Sequence, residues 1–296
     1  MSKTAVATMQ LPALSGSIRL VIVVGLIALL GSCHQPPAAY QPASSSAAAS
    51  AGDSAWVGRN RQRLYVQAYR NTQVSAHPVL VVVVHGDAPF NKPGYQYAFA
   101  KQVAAKHADV VAVGLLRPGY TDPQGHRSAG IRGEAVGDNY TPEVIRAVAG
   151  GMAQLKRRYK ARRVVAVGHS GGAAIVADVL AQYPAAVDAA LLASCPCDVP
   201  RWRQHMQQLH GGAVWEQPVT SLSPQALVPK VSRTVPVTLV VGTADSVTPV
   251  RLSWAYWRAL HQQNPTTKFV TLAGLEHEIL FAPTVHQELA HLLQIR

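Results

Sequence analysis

Residues 162–180 read RRVVAVGHSGGAAIVADVL, and this segment constrains the fold of the chain more than any other. The apolar run 164–167 predicts a buried strand, and the Ala- and Val-rich residues after Gly172 predict a helix that follows without a linker. The turn between them fits the pattern G-x-S-x-G, with Ser170 at its centre. Small residues on both sides allow a tight turn that exposes the hydroxyl. The segment therefore predicts a serine nucleophile, with a purely structural turn as the alternative.

The composition places this segment in one large folded unit. The chain has 296 residues, of which 48% are apolar and 14% charged, so it can bury a sizeable core. The formal net charge is +12, and the clearest basic run, residues 156–163, ends a predicted helix. Tyr159 is the only aromatic residue within that run, which favours a solvated helix end over nucleic-acid binding. Neither a dinucleotide-binding glycine pattern nor metal-ligand spacing occurs in the sequence, so we expect no cofactor and no metal.

The N-terminus predicts export. Residues 20–30 are apolar and follow Lys3 and Arg19, as in a secretory signal. Residues 30–33, Leu-Gly-Ser-Cys, resemble the lipobox of bacterial lipoproteins, which implies cleavage before Cys33 and acylation of its thiol. His34 follows instead of Asp, which by this resemblance implies the periplasmic face of an outer membrane. We expect a signal peptide over 1–32 and a Pro/Ala/Ser-rich tether over 33–55, with an uncleaved anchor or a plain signal peptide as alternatives.

The remaining residues, 56–296, alternate predicted strands with predicted helices. The run 79–84 is continuously β-branched or Leu, as in a strand buried on both faces. The pattern predicts a mostly parallel, doubly wound sheet flanked by helices. Residues 196–235 contain several prolines and read as an irregular insertion after the sixth strand, which would sit over the site and set substrate access.

Three residues with complementary chemistry follow three different predicted strands. Ser170, Asp245 and His277 each come just after a buried run, so parallel strands would deliver them to the same edge of the sheet. In that arrangement the imidazole takes the serine proton and the carboxylate orients the imidazole. Glu276 and Glu278 flank the histidine, but neighbours in the chain cannot readily orient its ring, so Asp245 is favoured.

A second predicted feature would stabilise the negative charge that develops on an attacked carbonyl. His85-Gly86 ends the strand over 79–84, and the turn after it would aim the amide of Asp87 at the nucleophile. The amide of Gly171, at a helix N-terminus, would be the other donor. Asp87 carries a charge that would also shape the substrate pocket, while His85 is expected to hold the loop. His169 is expected to pack away from the nucleophile.

These signals, in this order, resemble the α/β-hydrolase superfamily over residues 60–296. The resemblance implies a serine hydrolase that cleaves carboxylic esters through an acyl-enzyme, acting on a small ester or a short peptide. Ser223-Pro224 and Gly242-Thr243-Ala244-Asp245 are similar to the prolyl oligopeptidase and dienelactone hydrolase branch, whereas Arg117-Pro118-Gly119-Tyr120 is similar to epoxide-hydrolase and esterase loops. The alternatives are a serine peptidase, a lid-gated lipase, which the polar residues of 201–230 disfavour, and a non-catalytic surface binding protein. The sequence leaves open whether Cys195 and Cys197 are buried thiols or a strained disulfide.

Overall fold

The structure, a computed structural model, describes residues 53–295. The expected signal peptide, the acylation of Cys33 and nearly all of the expected tether therefore lie outside the described residues. Within the described part of the chain, no helix combines the length and the apolar character needed to cross a membrane.

An eight-stranded sheet forms the centre of the molecule, with strand order β1-β2-β4-β3-β5-β6-β7-β8. The first two strands run antiparallel to their neighbours, and all other pairs are parallel. The strands are β1 Asp53–Val57, β2 Leu64–Arg70, β3 Val79–Val84, β4 Val110–Leu115, β5 Arg163–His169, β6 Ala189–Ala193, β7 Val237–Gly242 and β8 Thr267–Leu272. The ladder with β2 starts at Asp53, so the last three residues of the expected tether, 53–55, are part of β1.

Helices cover both faces of this sheet. They are α1 Tyr95–Lys106, α2 Pro142–Arg158, α3 Gly171–Gln182, α4 Val199–His210, α5 Pro224–Leu227, α6 Val250–His261 and α7 Pro283–Gln294. Successive residues of β3 point to opposite faces. Leu80 joins the core packed by α2, α3 and α6, whereas Val81 joins the core packed by α1 and α7. Two buried layers therefore explain why β3 is apolar throughout, and the predicted doubly wound α/β fold is confirmed.

The insertion after β6 is more regular than the sequence analysis predicts. Residues 199–210 form α4, whose first turn is capped by Asp198 through the amide of Arg201, at 3.3 Å. The helix buries Val199, Trp202, Arg203 and Met206 while most of its other residues are polar, so its apolar stripe is narrow. The expectation of an irregular segment over 196–235 is therefore wrong for α4.

A disulfide joins Cys195 and Cys197 between β6 and α4, which answers the question that the sequence leaves open. Both cysteines are fully buried. The carbonyl of Cys195 accepts a hydrogen bond from the Ser253 hydroxyl at 3.2 Å, and the carbonyl of Cys197 accepts one from the Gln225 amide at 2.8 Å. The disulfide thus lies in a segment that is anchored to α5 and α6.

Candidate active site

The turn between β5 and α3 holds Ser170 in a backbone conformation that side chains rarely adopt, with φ 54° and ψ −126°. Such a conformation costs about 1–3 kcal/mol and occurs mainly at functional sites. The neighbouring glycines make it possible: a Cβ on Gly172 would lie 2.2 Å from the carbonyl oxygen of Val84, and one on Gly168 would lie 2.5 Å from the carbonyl oxygen of Gly172. The turn is therefore packed against the end of β3, and its serine is raised above the sheet.

The structure brings together the three residues that the sequence places after separate strands. Nε2 of His277 lies 3.0 Å from Oγ of Ser170. On the other side of the ring, Nδ1 lies 3.1 Å from Oδ1 and 3.0 Å from Oδ2 of Asp245. An ionised carboxylate can only accept, so Nδ1 carries the proton and Nε2 is free to accept from the serine hydroxyl. This is the tautomer that a general base requires.

Asp245 is fixed by the loop that follows it. The amides of Val247 and Thr248 donate to Oδ1 at 2.9 and 2.7 Å, and the Thr248 hydroxyl donates to Oδ2 at 2.7 Å. Burial acts to raise the pKa of Asp245, but the hydrogen bonds and charge of His277 together with the bonds from Thr248 outweigh it, so the pKa is lowered. The carboxylate thus stays ionised and oriented next to the imidazole.

A buried ionic network stands behind the expected oxyanion donors. The Arg117 guanidinium, whose side chain is fully buried, donates to Oδ1 of Asp87 at 2.8 Å, and the Tyr140 hydroxyl donates to Oδ2 at 2.7 Å. A Cβ on Gly171 would lie 2.6 Å from Oδ1 of Asp87, so the carboxylate packs directly beneath the start of α3. As the first residue of that helix, Gly171 has an amide with no intrahelical acceptor. The network neutralises a carboxylate that would otherwise oppose negative charge at this amide.

A chain of hydrogen bonds connects three segments of the site. The Gly86 amide donates to the Tyr95 hydroxyl at 2.5 Å, and that oxygen lies 3.0 Å from Nδ1 of His169. Nε2 of His169 lies 3.2 Å from the carbonyl oxygen of His277, which can only accept, so Nε2 is protonated and Nδ1 accepts from the tyrosine. Burial and the His277 ring lower the pKa of His169 to about 4, consistent with a neutral ring. The Ser194 hydroxyl donates to the same His277 carbonyl at 2.9 Å.

Ser170 and His277 open into a cavity of about 760 Å³, here called the Ser170 cavity. One wall is largely apolar. The insertion contributes Trp202, Met206, Val214 and Trp215 to it, and two other loops contribute Val136 and Val247. The two indoles meet edge to face at 5.5 Å, and the Trp202 ring nitrogen donates to the Val247 carbonyl at 2.9 Å. Carboxylates of Glu134 and Glu278 line another part of the cavity. The insertion therefore does lie at the site, as expected.

Within residues 53–295, one group of potential metal ligands includes members of this arrangement. Ligand atoms of His169, His277 and Glu278 lie within 4.8 Å of one another. However, both ring nitrogens of each histidine already have partners. The ring nitrogens of both histidines are thus accounted for by the hydrogen-bond arrangement around Ser170.

The central residues of this site follow strands that the sequence predicts, whereas the residues that support them carry little sequence signal. The structure gathers the predicted residues Ser170, Asp245, His277, Gly171 and Asp87 at one edge of the sheet. His85 holds its loop as expected, because its Nε2 accepts from the Arg117 amide at 3.0 Å. His169 does more than pack, since it bonds the carbonyl of His277. Tyr95, Tyr140, Ser194 and Thr248 are missed, and of these only Thr248 follows a candidate residue closely enough in sequence to give a signal.

The fold and the arrangement of side chains define an α/β-hydrolase. The sequence profile of the prolyl oligopeptidase family matches residues 133–294, more than half of the chain. The chain therefore belongs to the prolyl oligopeptidase family, and it is a serine hydrolase that acts on ester or peptide bonds. Of the two branch resemblances seen in the sequence, the one carried by Ser223-Pro224 and residues 242–245 agrees with this family.

Solved structures with the same fold include esterases and peptidases. An esterase of Pyrococcus furiosus superposes with a TM-score of 0.57 and 14% identity, covering 82% of this chain and 91% of the esterase. Est1E from Butyrivibrio proteoclasticus gives 0.61 and 14%, covering 81% and 98%. An acylaminoacyl peptidase of Pyrococcus horikoshii gives 0.59 and 14%, covering 81% of this chain but only 39% of the peptidase. No curated protein matches the chain.

Proposed function

We propose that the enzyme cleaves carboxylic esters through an acyl-enzyme formed on Ser170. The observation that carries this proposal is the continuous chain from Oγ of Ser170 through His277 to Asp245, with bonds of 3.0 to 3.1 Å, at the wall of an open cavity. The distances lie within hydrogen-bond reach for proton transfer.

In the proposed reaction His277 takes the proton of Ser170 as Oγ attacks the acyl carbon. The oxyanion accepts hydrogen bonds from the amides of Gly171 and Asp87, each worth about 3 kcal/mol if well aimed. The imidazolium, stabilised by Asp245, then protonates the departing alkoxide. His277 then takes a proton from the water that attacks the acyl carbon, and the imidazolium returns a proton to Oγ as the acyl–Oγ bond breaks, which releases the carboxylic acid and regenerates Ser170.

The lining of the Ser170 cavity favours an ester with an apolar acyl group. Trp202, Met206 and Trp215 offer a large apolar surface close to the nucleophile, and burial of apolar area contributes about 25 cal/mol per Å². The second candidate is a serine peptidase with the same three residues. Its support is the pair Glu134 and Glu278, since carboxylates at the cavity would attract the amino terminus of a peptide.

The test compares wild type with Ser170→Ala, using a fluorophosphonate probe, short-chain nitrophenyl esters and aminoacyl nitroanilides. We expect probe labelling and ester turnover in the wild type and neither in the variant, with far-ultraviolet circular dichroism showing that both are folded. Turnover of the anilides alone would replace the esterase with the peptidase. A folded wild type with neither labelling nor turnover would instead favour the non-catalytic binding protein.

A further inference from the structure

A second cleft, of about 430 Å³, adjoins the Ser170 cavity. It lies between the loop after β3 and the loop after β4. Pro89, Phe90 and Arg132 line both spaces, so a single ligand can extend from one into the other. Three cations line this second space, Lys92, Arg127 and Arg132, and we call it the cationic cleft.

The charges of the cationic cleft are not neutralised locally. No carboxylate belongs to its lining, and within residues 53–295 none of the three cations has an ion-pair partner. Arg132 donates through one nitrogen to the carbonyl oxygens of Pro89 at 3.1 Å and Ala88 at 3.4 Å. Because a guanidinium has five N–H donors, the others remain for a ligand. The Arg127 guanidinium donates to the Thr121 hydroxyl at 3.3 Å.

Hydrogen bonds from Arg132 to the loop of Phe90 also hold the two walls together. Phe90 itself is 94% exposed, which is unusual for an aromatic side chain and leaves its ring free for an apolar part of a ligand. An apolar ring between an apolar cavity and a cationic cleft suits a molecule with an apolar middle and an anionic end.

We propose that the cationic cleft binds an anionic group, a carboxylate or a phosphate, of the substrate whose acyl bond is cleaved at Ser170. This inference rests on the proposed function, and it names the substrate class as esters that carry a negative charge away from the scissile bond. Such a substrate places its ester beside Ser170 and its anion between Lys92, Arg127 and Arg132. Exposed pairs of this kind contribute modestly each, so several cations acting together are needed for selectivity.

The test uses two matched pairs of esters. In the first, mono-4-nitrophenyl adipate is compared with 4-nitrophenyl hexanoate, which places the anion on the acyl side. In the second, the hexanoate ester of 4-hydroxybenzoate is compared with that of 4-hydroxybenzamide, which places it on the leaving group. We expect wild type to prefer the anionic member of at least one pair, and the pair that responds identifies the side that enters the cleft.

The double variant Lys92→Gln/Arg127→Gln should lower the ratio of kcat/KM values, anionic over neutral, by roughly four- to twentyfold, and raised salt should lower the wild-type ratio. The matched control is Arg157→Gln: this exposed cation lies in the last turn of α2, just before β5 and thus at the opposite edge of the sheet. It should leave the ratio unchanged. Equal ratios in wild type and the double variant for both pairs would overturn the proposal.

Binding separates failure of this inference from failure of the proposed function. Calorimetric titration of Ser170→Ala with intact mono-4-nitrophenyl adipate and with 4-nitrophenyl hexanoate measures the anion preference without turnover. Tighter binding of the adipate that is lost on adding Lys92→Gln/Arg127→Gln supports the cleft even if wild type hydrolyses neither ester. Hydrolysis of the neutral ester without any preference for the anionic ester, in rate or in binding, would refute anion binding in the cationic cleft and would leave the proposed esterase function unaffected.

Discussion

Replacing Tyr95 with Phe should lower both the stability and the turnover of the enzyme, because one hydroxyl serves two buried partners. Without it, the Gly86 amide loses its acceptor and Nδ1 of His169 loses its donor. A buried polar group left without a partner costs about 1–3 kcal/mol, which gives about 2–6 kcal/mol for the pair. Tyr95 borders the Ser170 cavity, so water can replace some of the lost hydrogen bonds. We therefore expect the free energy of unfolding to fall by about 2–3 kcal/mol.

The effect on turnover follows from the tautomer of His169. When Tyr95 no longer donates to Nδ1, the ring can carry its proton there, and Nε2 then faces the carbonyl of His277 as a second acceptor. The Ser194 hydroxyl and the Ile279 amide, both at 2.9 Å, would still donate to that carbonyl, but the contact that links it to Tyr95 would be lost. We expect the resulting shift of the His277 imidazole to raise the activation free energy by about 1.4–2.8 kcal/mol. That increase lowers kcat ten- to a hundredfold, while KM changes less.

The assay combines urea unfolding with ester kinetics. Tyr69→Phe is the matched control, because the Tyr69 hydroxyl donates to Gln67 on β2 at 2.6 Å and is not part of this chain of bonds. It should leave kcat within about twofold of wild type. A double-mutant cycle with His169→Phe should show strong non-additivity, since both variants break the same chain. If Tyr95→Phe is destabilised yet keeps its full kcat, the hydrogen bonds through Tyr95 and His169 do not position His277, and the prediction is wrong.

Two further predictions concern stability. Because the pKa of His169 is about 4 when folded and about 6.5 in an unfolded chain, the unfolded state binds more protons between these values and stability falls as the pH drops through them. Between pH 7 and pH 5 the free energy of unfolding, measured with urea, should therefore fall by about 2 kcal/mol less in His169→Gln than in wild type. An identical pH dependence of the two proteins would contradict a neutral buried His169. Gly172→Ala places a Cβ 2.2 Å from the Val84 carbonyl oxygen and should lower the free energy of unfolding by more than about 3 kcal/mol. The control Gly150→Ala has open space in α2 and should raise it by about 1 kcal/mol. Equal thermal midpoints for the two variants would refute the packing described for the nucleophile turn.

Much of the fold and the centre of the site could be predicted from the sequence because they depend on local patterns. A strand buried on both faces reads as an unbroken apolar run, as in β3, and a tight strand-to-helix turn requires the glycines around Ser170. Since parallel strands end at the same edge, residues just after them meet there whatever the exact geometry. Ser170, Asp245 and His277 are of this kind: strand direction predicts their common edge, whereas strand order and the loop after β8 bring them within hydrogen-bond distance.

The supports of the site depend on contacts that only the tertiary structure decides. The Asp87 carboxylate accepts hydrogen bonds from Arg117, in the loop after β4, and from Tyr140, which precedes the N-cap of α2. Neither partner is marked by spacing or periodicity in the sequence. The disulfide likewise depends on the direction of two thiols in the turn after β6. Hydrogen bonds and bridges between segments far apart in the chain have no local pattern, because any of several polar residues could satisfy each buried group until packing selects one. The sequence alone determined which chemistry this chain can carry, and the tertiary structure determined which side chains hold that chemistry in place.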